Sequence, residues 1–374
     1  MTEVAVNLLW CVPGAVGGSE DYLVRQLRGL AEVAGAVEPT LYVVEGFAQA
    51  HPELARRYRL VEAPLDGQVR GRRVWAEHGW LARRVRTAAL VHHGGGSSPW
   101  HRSAVGGPTP PVVLTVHDLQ YRTYPEYFST LKRTYLRTVV PRSVRAARVV
   151  TVPSAYVRGT VLSAWSLPPE RVMVVPHGIE ADLGRLATPE AELRRRYGLG
   201  DGPVLVYPAV THPHKNHGLL LQLMADHWTD GDLRLVLIGG RGSAEDALVS
   251  EVARRGLGGR VIRPGRVPVA DRDGLIAMAS AVVFPSEYEG FGAPVAEAMH
   301  LGVPVVTSDR ACLPEVVGDA GLVLPLDLRR WAVALAEVER RRDELVEAGR
   351  RRAGLYTTRR SGEALLDAYS EALT

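Results

Sequence analysis

The sequence predicts an α/β protein built from two open parallel-sheet domains, and three observations carry that reading. Short apolar runs rich in β-branched residues recur at 4–11, 41–44, 90–93, 112–116, 149–153 and 172–176, and again at 204–207, 234–238, 261–263, 281–284, 303–307 and 321–325. Their polar residues are few and do not alternate with the apolar ones, which is the pattern of a parallel strand covered on both faces. Stretches with helical spacing separate them, such as 19–30, where Leu23, Leu27 and Leu30 share a face. The chain also has room for two cores: 374 residues, 46% hydrophobic and 23% charged, as in ordinary globular proteins.

Taken in order, the first strand runs into the loop VPGAVGGSE, so Gly17 and Gly18 sit at a strand-to-helix turn. Residues 64–86 are arginine-rich, with a helix expected from Trp75 onward. The strand at 90–93 ends in HHGGG; His92 and His93 lack a third ligand at metal spacing and read as a strand end. The strand at 112–116 ends in His117-Asp118-Leu119, which puts His117 at the carboxyl edge of a parallel sheet, where ligands bind. A basic helical stretch, 131–148, follows, and residues 181–202 form a connector with a charged helix at 190–197. The second domain opens with a strand and the loop PAVTHPHKNHG, which carries His214 and Lys215. Lys132 and Lys215 are the only lysines among 45 basic residues, and an ammonium at a strand-loop-helix mouth can neutralise a diphosphate as a point charge. Asp271-Arg272-Asp273 is formally a metal signature, but it precedes an expected helix at 275–279 and reads as an N-cap pattern. A single charged helix is expected over 328–351 and an amphipathic one over 362–373.

The most informative stretch is 281–315. A buried strand gives way to the loop Glu289-Gly290-Phe291-Gly292, and a helix opens at Pro294 and stops at Gly302. A helix start beside small residues favours a phosphate. Glu289 and Glu297 flank it with seven residues between them, Glu297 in the first helical turn; paired hydroxyls suit a carboxylate, which accepts hydrogen bonds from both.

The run E-G-F-G-x-P-x-x-E-A-M-x-x-G-x-P-V-V from Glu289 resembles the retaining nucleotide-sugar glycosyltransferases of family 4. The runs A-x-V-V-T-V-P-S-x-x-V-R and P-E-R-V-x-V-V-P-H-G-I are similar to that family too. The resemblance implies the GT-B fold: Rossmann-like domains at 1–180 and 203–355 facing a central cleft, with 356–374 returning to the first. It implies that Glu289 touches the donor sugar, Glu297 the ribose, and the backbone of Phe291, Gly292 and Ala293 the sugar and phosphates. It puts the base near Gly265 and Val267, the donor sugar near His117, and the Gly17-Gly18 loop beside the phosphates and acceptor. The family pairs an arginine with its lysine, whereas here Val210 and Thr211 stand where the arginine often falls. His214 or an arginine of the first domain is then expected to supply the second charge.

The implied reaction is transfer of a hexose from a nucleoside diphosphate sugar to an acceptor hydroxyl with retention, without metal or resident cofactor. A sugar-nucleotide 2-epimerase is the alternative on the same scaffold; a pyridoxal-dependent phosphorylase and a non-catalytic nucleotide or nucleic-acid binder rank below it. Acceptors expected are a small molecule, a glycan or a lipid-linked sugar, and nucleic acid is not expected. The charge balance is +8 over residues 1–178 and −4 over 179–374, so a peripheral membrane contact would fall on the first domain. Two cysteines, Cys11 and Cys312, on different domains fit a reducing compartment. With no basic leader before the first strand and no run of about 18 apolar residues, the expected location is cytoplasmic.

Overall fold

The computed structural model describes residues 2–33, 37–99 and 109–374. The chain divides into two compact units, one running to Gly178 and joined by Thr357–Thr374, the other Ile179–Tyr356.

The first unit holds a seven-stranded, wholly parallel sheet. Its strands are β1 (Thr2–Asn7), β2 (Val37–Val43), β3 (Arg59–Glu62), β4 (Leu90–His93), β5 (Val112–Thr115), β6 (Val149–Val152) and β7 (Val172–Val174), in the order β3-β2-β1-β4-β5-β6-β7. β3 went unforeseen because it is a four-residue edge strand with only Leu60 and Val61 apolar and no fully buried residue. The order reverses between β1 and β4, so the loops leaving those strands diverge and open a crevice at the carboxyl edge. The arginine-rich segment turns helical earlier than expected, over Arg70–Ala76, and continues as a single π turn, Glu77–Leu81.

The chain's last helix, Thr358–Leu373, packs on the first, Gly18–Glu32, and belongs to this unit. Two glycines permit the crossing. A Cβ at Gly362 would stand 2.1 Å from the carbonyl carbon of Gly29, and one at Gly29 would stand 1.7 Å from the carbonyl oxygen of Thr358. Polar anchors then fix the register, with Tyr22 donating to Val175 O at 2.6 Å and Tyr369 bonded to His92 Nδ1 at 2.8 Å. Gly362→Ala is therefore expected to destabilise this unit by about 3 kcal/mol, the upper end of overpacking costs. In a unit of this size that is roughly 6–12 °C of melting temperature, readable by calorimetry. An unchanged melting curve would contradict the crossing.

The second unit holds six parallel strands, β8 (Val204–Pro208), β9 (Arg234–Ile238), β10 (Val261–Gly265), β11 (Ala281–Phe284), β12 (Val305–Ser308) and β13 (Leu322–Leu324), ordered β10-β9-β8-β11-β12-β13. Here the reversal falls between β8 and β11. Every residue of β11 and β12 is buried, Thr307 and Ser308 at the end of β12 included, as in a parallel sheet covered on both faces.

Two expectations need correction. The stretch 328–351 is not one helix but three, Leu328–Ala332, Ala334–Arg340 and Arg342–Ala353. Tertiary bonds hold the joints: Trp331 donates to Pro325 O, Trp228 to Ala332 O and Arg342 to Ser280 O. Asp271 is not an N-cap, because its helix starts at Val269 behind Pro268. Its carboxylate instead accepts from Thr188 at 2.6 Å, Tyr197 at 2.5 Å and Arg196, fastening the connector helix Glu190–Tyr197 to this one. Asp273 pairs with its neighbour Arg272.

Candidate active site

At the reversal in the second unit, the loops after β8 and β11 are stitched together. Tyr207, at the end of β8 and fully buried, donates its phenolic proton to Lys215 O at 2.7 Å and lies 2.9 Å from the Ser286 hydroxyl. Glu287 N donates to His214 O at 2.7 Å. The short turn Pro213–Lys215 ends at Asn216, whose φ of 51° reverses the chain into the helix His217–Asp226. The result is that Lys215 Nζ stands 2.6 Å from Glu289 Oε1, with the two side chains only 16% and 12% exposed. The ammonium also lies 5.8 Å from the centroid of the Phe284 ring.

Immediately beyond Glu289 the chain enters the helix Ala293–His300 through Gly292, at φ 84°, where a Cβ would stand 2.8 Å from Leu313. The helix begins one residue before Pro294, so Glu297 lies in its second turn and not in the first; it is 5% exposed. The Phe291 ring is buried edge-on against Tyr356. Gly265, at φ 76°, ends β10, and Val267 follows half-buried at the same edge.

The structure corrects the expected electrostatics. His214 is held down to about 3 by burial first and the Lys215 charge second, and His217 to about 4 by the same two causes. Both imidazoles are neutral at pH 7, so His214 adds no second positive charge. Thr211, where the family arginine often falls, instead donates to Glu245 at 2.6 Å, and Glu245 pairs with Arg263. Arg263 is therefore a fixed cation of this edge, close enough to help depress His217.

The first unit gathers the remaining residues. His117 donates from Nε2 to Gly94 O at 2.7 Å, and burial holds it down to about 4, so it is neutral and its Nδ1 carries a lone pair. The rings of Trp10 and Tyr22 lie 5.8 and 5.5 Å from it. Gly17, at φ 73°, precedes the first helix, and Gly18 opens it. Sequence reasoning missed what shapes this loop: Glu20 accepts from Gly14 N at 2.9 Å with one oxygen and from His51 at 2.9 Å with the other. Glu20 stands in the first helical turn two residues after Gly18, and that nearness was the available signal. Tyr207 and Ser286 were missed as well, since both looked like ordinary strand-end residues.

The family described as Glycosyltransferase Family 4 matches residues 16–183, and Glycosyl transferases group 1 matches 189–352. The D-inositol 3-phosphate glycosyltransferase of Thermobispora bispora is 31% identical over 96% of this chain and 91% of its own. The chain belongs to the group 1, family 4 glycosyltransferases. Another relative of this glycosyltransferase, the O-antigen chain mannosyltransferase B of Escherichia coli, is 34% identical over 57% of this chain. That match spans 56% of the relative's length. Solved structures give the GT-B fold. Sucrose-phosphate synthase of Thermosynechococcus elongatus superposes with a TM-score of 0.77 at 21% identity, covering 99% and 98% of the two chains. Anabaena HepE in complex with UDP and glucose gives 0.74 at 17%, covering 99% and 100%.

Proposed function

We propose that this chain transfers a hexose from a nucleoside diphosphate sugar to an acceptor hydroxyl, with retention of configuration and without a metal ion. The observation that carries the reading is the 2.6 Å pairing of Lys215 with Glu289 at the sheet's reversal, one loop away from a helix start. A carboxylate suits the hydroxyls of a sugar and an ammonium suits a phosphate, so a donor entering here would exchange this contact for two of its own.

In the proposed reaction the bond from the sugar's anomeric carbon to the diphosphate oxygen breaks while the acceptor oxygen bonds the same carbon. The departing diphosphate oxygen takes the acceptor's proton. Lys215 and the amides at Gly292 and Ala293 stabilise the negative charge as it grows. Glu289 orients the sugar, Glu297 the ribose, and the backbone at Gly265 and Val267 the base. In the first unit, neutral His117 acts as a hydrogen-bonding partner of the donor sugar and not as a charge. Relatives named as mannosyltransferases put mannose first among the hexoses.

Thermal shift against GDP, UDP, dTDP and ADP is the first test. At about one hundred times its Kd, the right nucleotide adds about 2.7 kcal/mol of stability. Proton NMR of the product made with EDTA present should then show the anomer of the donor at an unchanged rate. No shift with any nucleotide would end the reading; an inverted anomer or dependence on a divalent ion would end its mechanism. Incubation with donor alone should leave the donor unepimerised.

A further inference from the structure

Three hydroxyls lie in a row across the carboxyl ends of neighbouring strands of the second sheet, in the order β8-β11-β12. Tyr207 is next to last in β8, Ser286 stands two residues past the end of β11, and Ser308 is the last residue of β12. All three are fully buried. Burial first and the Glu289 charge second push the Tyr207 phenol well up, so it keeps its proton and gives it to Lys215 O at 2.7 Å. The Ser286 hydroxyl, 2.9 Å from the phenol oxygen, is then the donor of that pair. Ser308 donates in turn to the Ser286 carbonyl, which lies beyond the ladder of β11.

The two ends of this row serve different side chains. Tyr207 holds the backbone under the ammonium of Lys215. Ser308 holds the backbone at Ser286, three residues before Glu289, and Glu287 N adds a second tie to His214 O. On the other side of Glu289 the next buried point is Phe291, packed against Tyr356. The Glu289 carboxylate is therefore carried on a short span between two fixed points, and Ser308 secures the first of them. A carboxylate that grips sugar hydroxyls has to be held to within about 0.5 Å, and a support behind the contacting residue does that work.

We propose that Ser308 is a positioning residue for the transfer reaction: through Ser286 it fixes the span that carries Glu289, and so sets the grip on the donor's sugar and not on its diphosphate. The assignment rests on the transferase reading above, which gives Glu289 the sugar and Lys215 the diphosphate. Ser308 touches neither substrate; its effect passes through the Ser286 carbonyl.

The test uses the full chain and calorimetric titration with the nucleoside diphosphate, among GDP, UDP, dTDP and ADP, that raises its melting temperature, and with the mannose and glucose conjugates of that nucleotide. Wild type is expected to bind the nucleotide and at least one conjugate. Ser308→Ala is expected to weaken the conjugate about tenfold, roughly the worth of one hydrogen bond, while the bare nucleotide changes less than about twofold. Ser308→Thr keeps a hydroxyl and is expected to bind both as the wild type does. If the alanine variant does not fold, Ser308→Cys keeps the size and a weaker donor, and is expected to show the same selective loss in smaller measure. Equal weakening of conjugate and nucleotide would mean that Ser308 serves the fold alone, and it overturns the proposal. So does no change in either, or a threonine variant as weak as the alanine one. In each of these cases nucleotide binding by the wild type leaves the donor reading standing, whereas a wild type that binds no nucleotide overturns both.

Discussion

Replacing Lys215 by methionine is expected to lower turnover by about a hundredfold to a thousandfold, the effect of losing one preorganised donor to a developing negative charge. The expectation is at the upper end because the site has no ready substitute. His214, adjacent in sequence, is depressed to about 3, and Arg263 is already paired with Glu245. Methionine keeps the volume of the stem, and the loop's anchor survives because Tyr207 holds the backbone oxygen of Lys215 and not its side chain. The charge is therefore removable without moving the chain that carries it.

The same substitution strands Glu289, whose carboxylate is 12% exposed and loses its partner. Lys215→Met is thus expected to cost stability as well as rate, and adding Glu289→Gln should return stability without returning turnover. Tyr207→Phe makes the opposite cut: the ammonium stays and the Lys215 carbonyl loses its donor. A neutral hydrogen bond lost from a buried carbonyl is worth about 1–3 kcal/mol, so a loosened loop and roughly a tenfold loss of turnover are expected. Turnover recovering together with stability in the double variant would show that Lys215 acts through the fold alone.

How much of this was legible in the sequence depended on whether the signal was local. Every strand but β3 could be placed because each is a short, mostly apolar run closed by glycine, proline or a polar residue, and the 289–302 loop and helix followed from Gly292 and Pro294. The resemblance then put Lys215, Glu289 and Glu297 in one unit, and the structure brings the first two into contact. What stayed hidden depends on contacts made at a distance. Nothing near Tyr207 in the chain says that its hydroxyl will hold residue 215, and nothing in a tract of arginines says that Glu77 will swing on a π turn to Asn7, seventy residues away. The charge of His214 failed for the same reason: burial decides it, and burial belongs to the fold. The broken helix after Leu328 has no glycine or proline at its joints, only tertiary bonds.

Acid is expected to unfold the first unit in a way that depends on His92. That side chain is fully buried, bonded through Nδ1 to Tyr369 and through Nε2 to Thr115 at 2.8 Å each, and Thr115 continues to Thr151 at 2.9 Å. A neutral imidazole satisfies both neighbours, donating from one ring nitrogen and accepting at the other; a protonated one would lose its acceptor and place a charge among apolar strands. Burial first and the neighbouring His117 second hold it down to about 3, against 6.5 for an ordinary imidazole. The sign follows from proton counts: between those two values the unfolded chain binds a proton that the folded chain refuses. Its contribution is therefore fully present above 6.5 and is lost as pH falls toward 3. At about pH 4 the loss is on the order of 3 kcal/mol from this residue alone. His92→Gln offers a donor and an acceptor without a titrating proton, so it should start less stable at neutral pH yet lose less on acidification. Melting temperatures of wild type and variant between about pH 7.5 and 4 decide the matter, because the carboxylates titrate alike in both and cancel in the difference. Parallel slopes would mean that the proton is taken up elsewhere and that the His92 chain of hydrogen bonds tolerates charge.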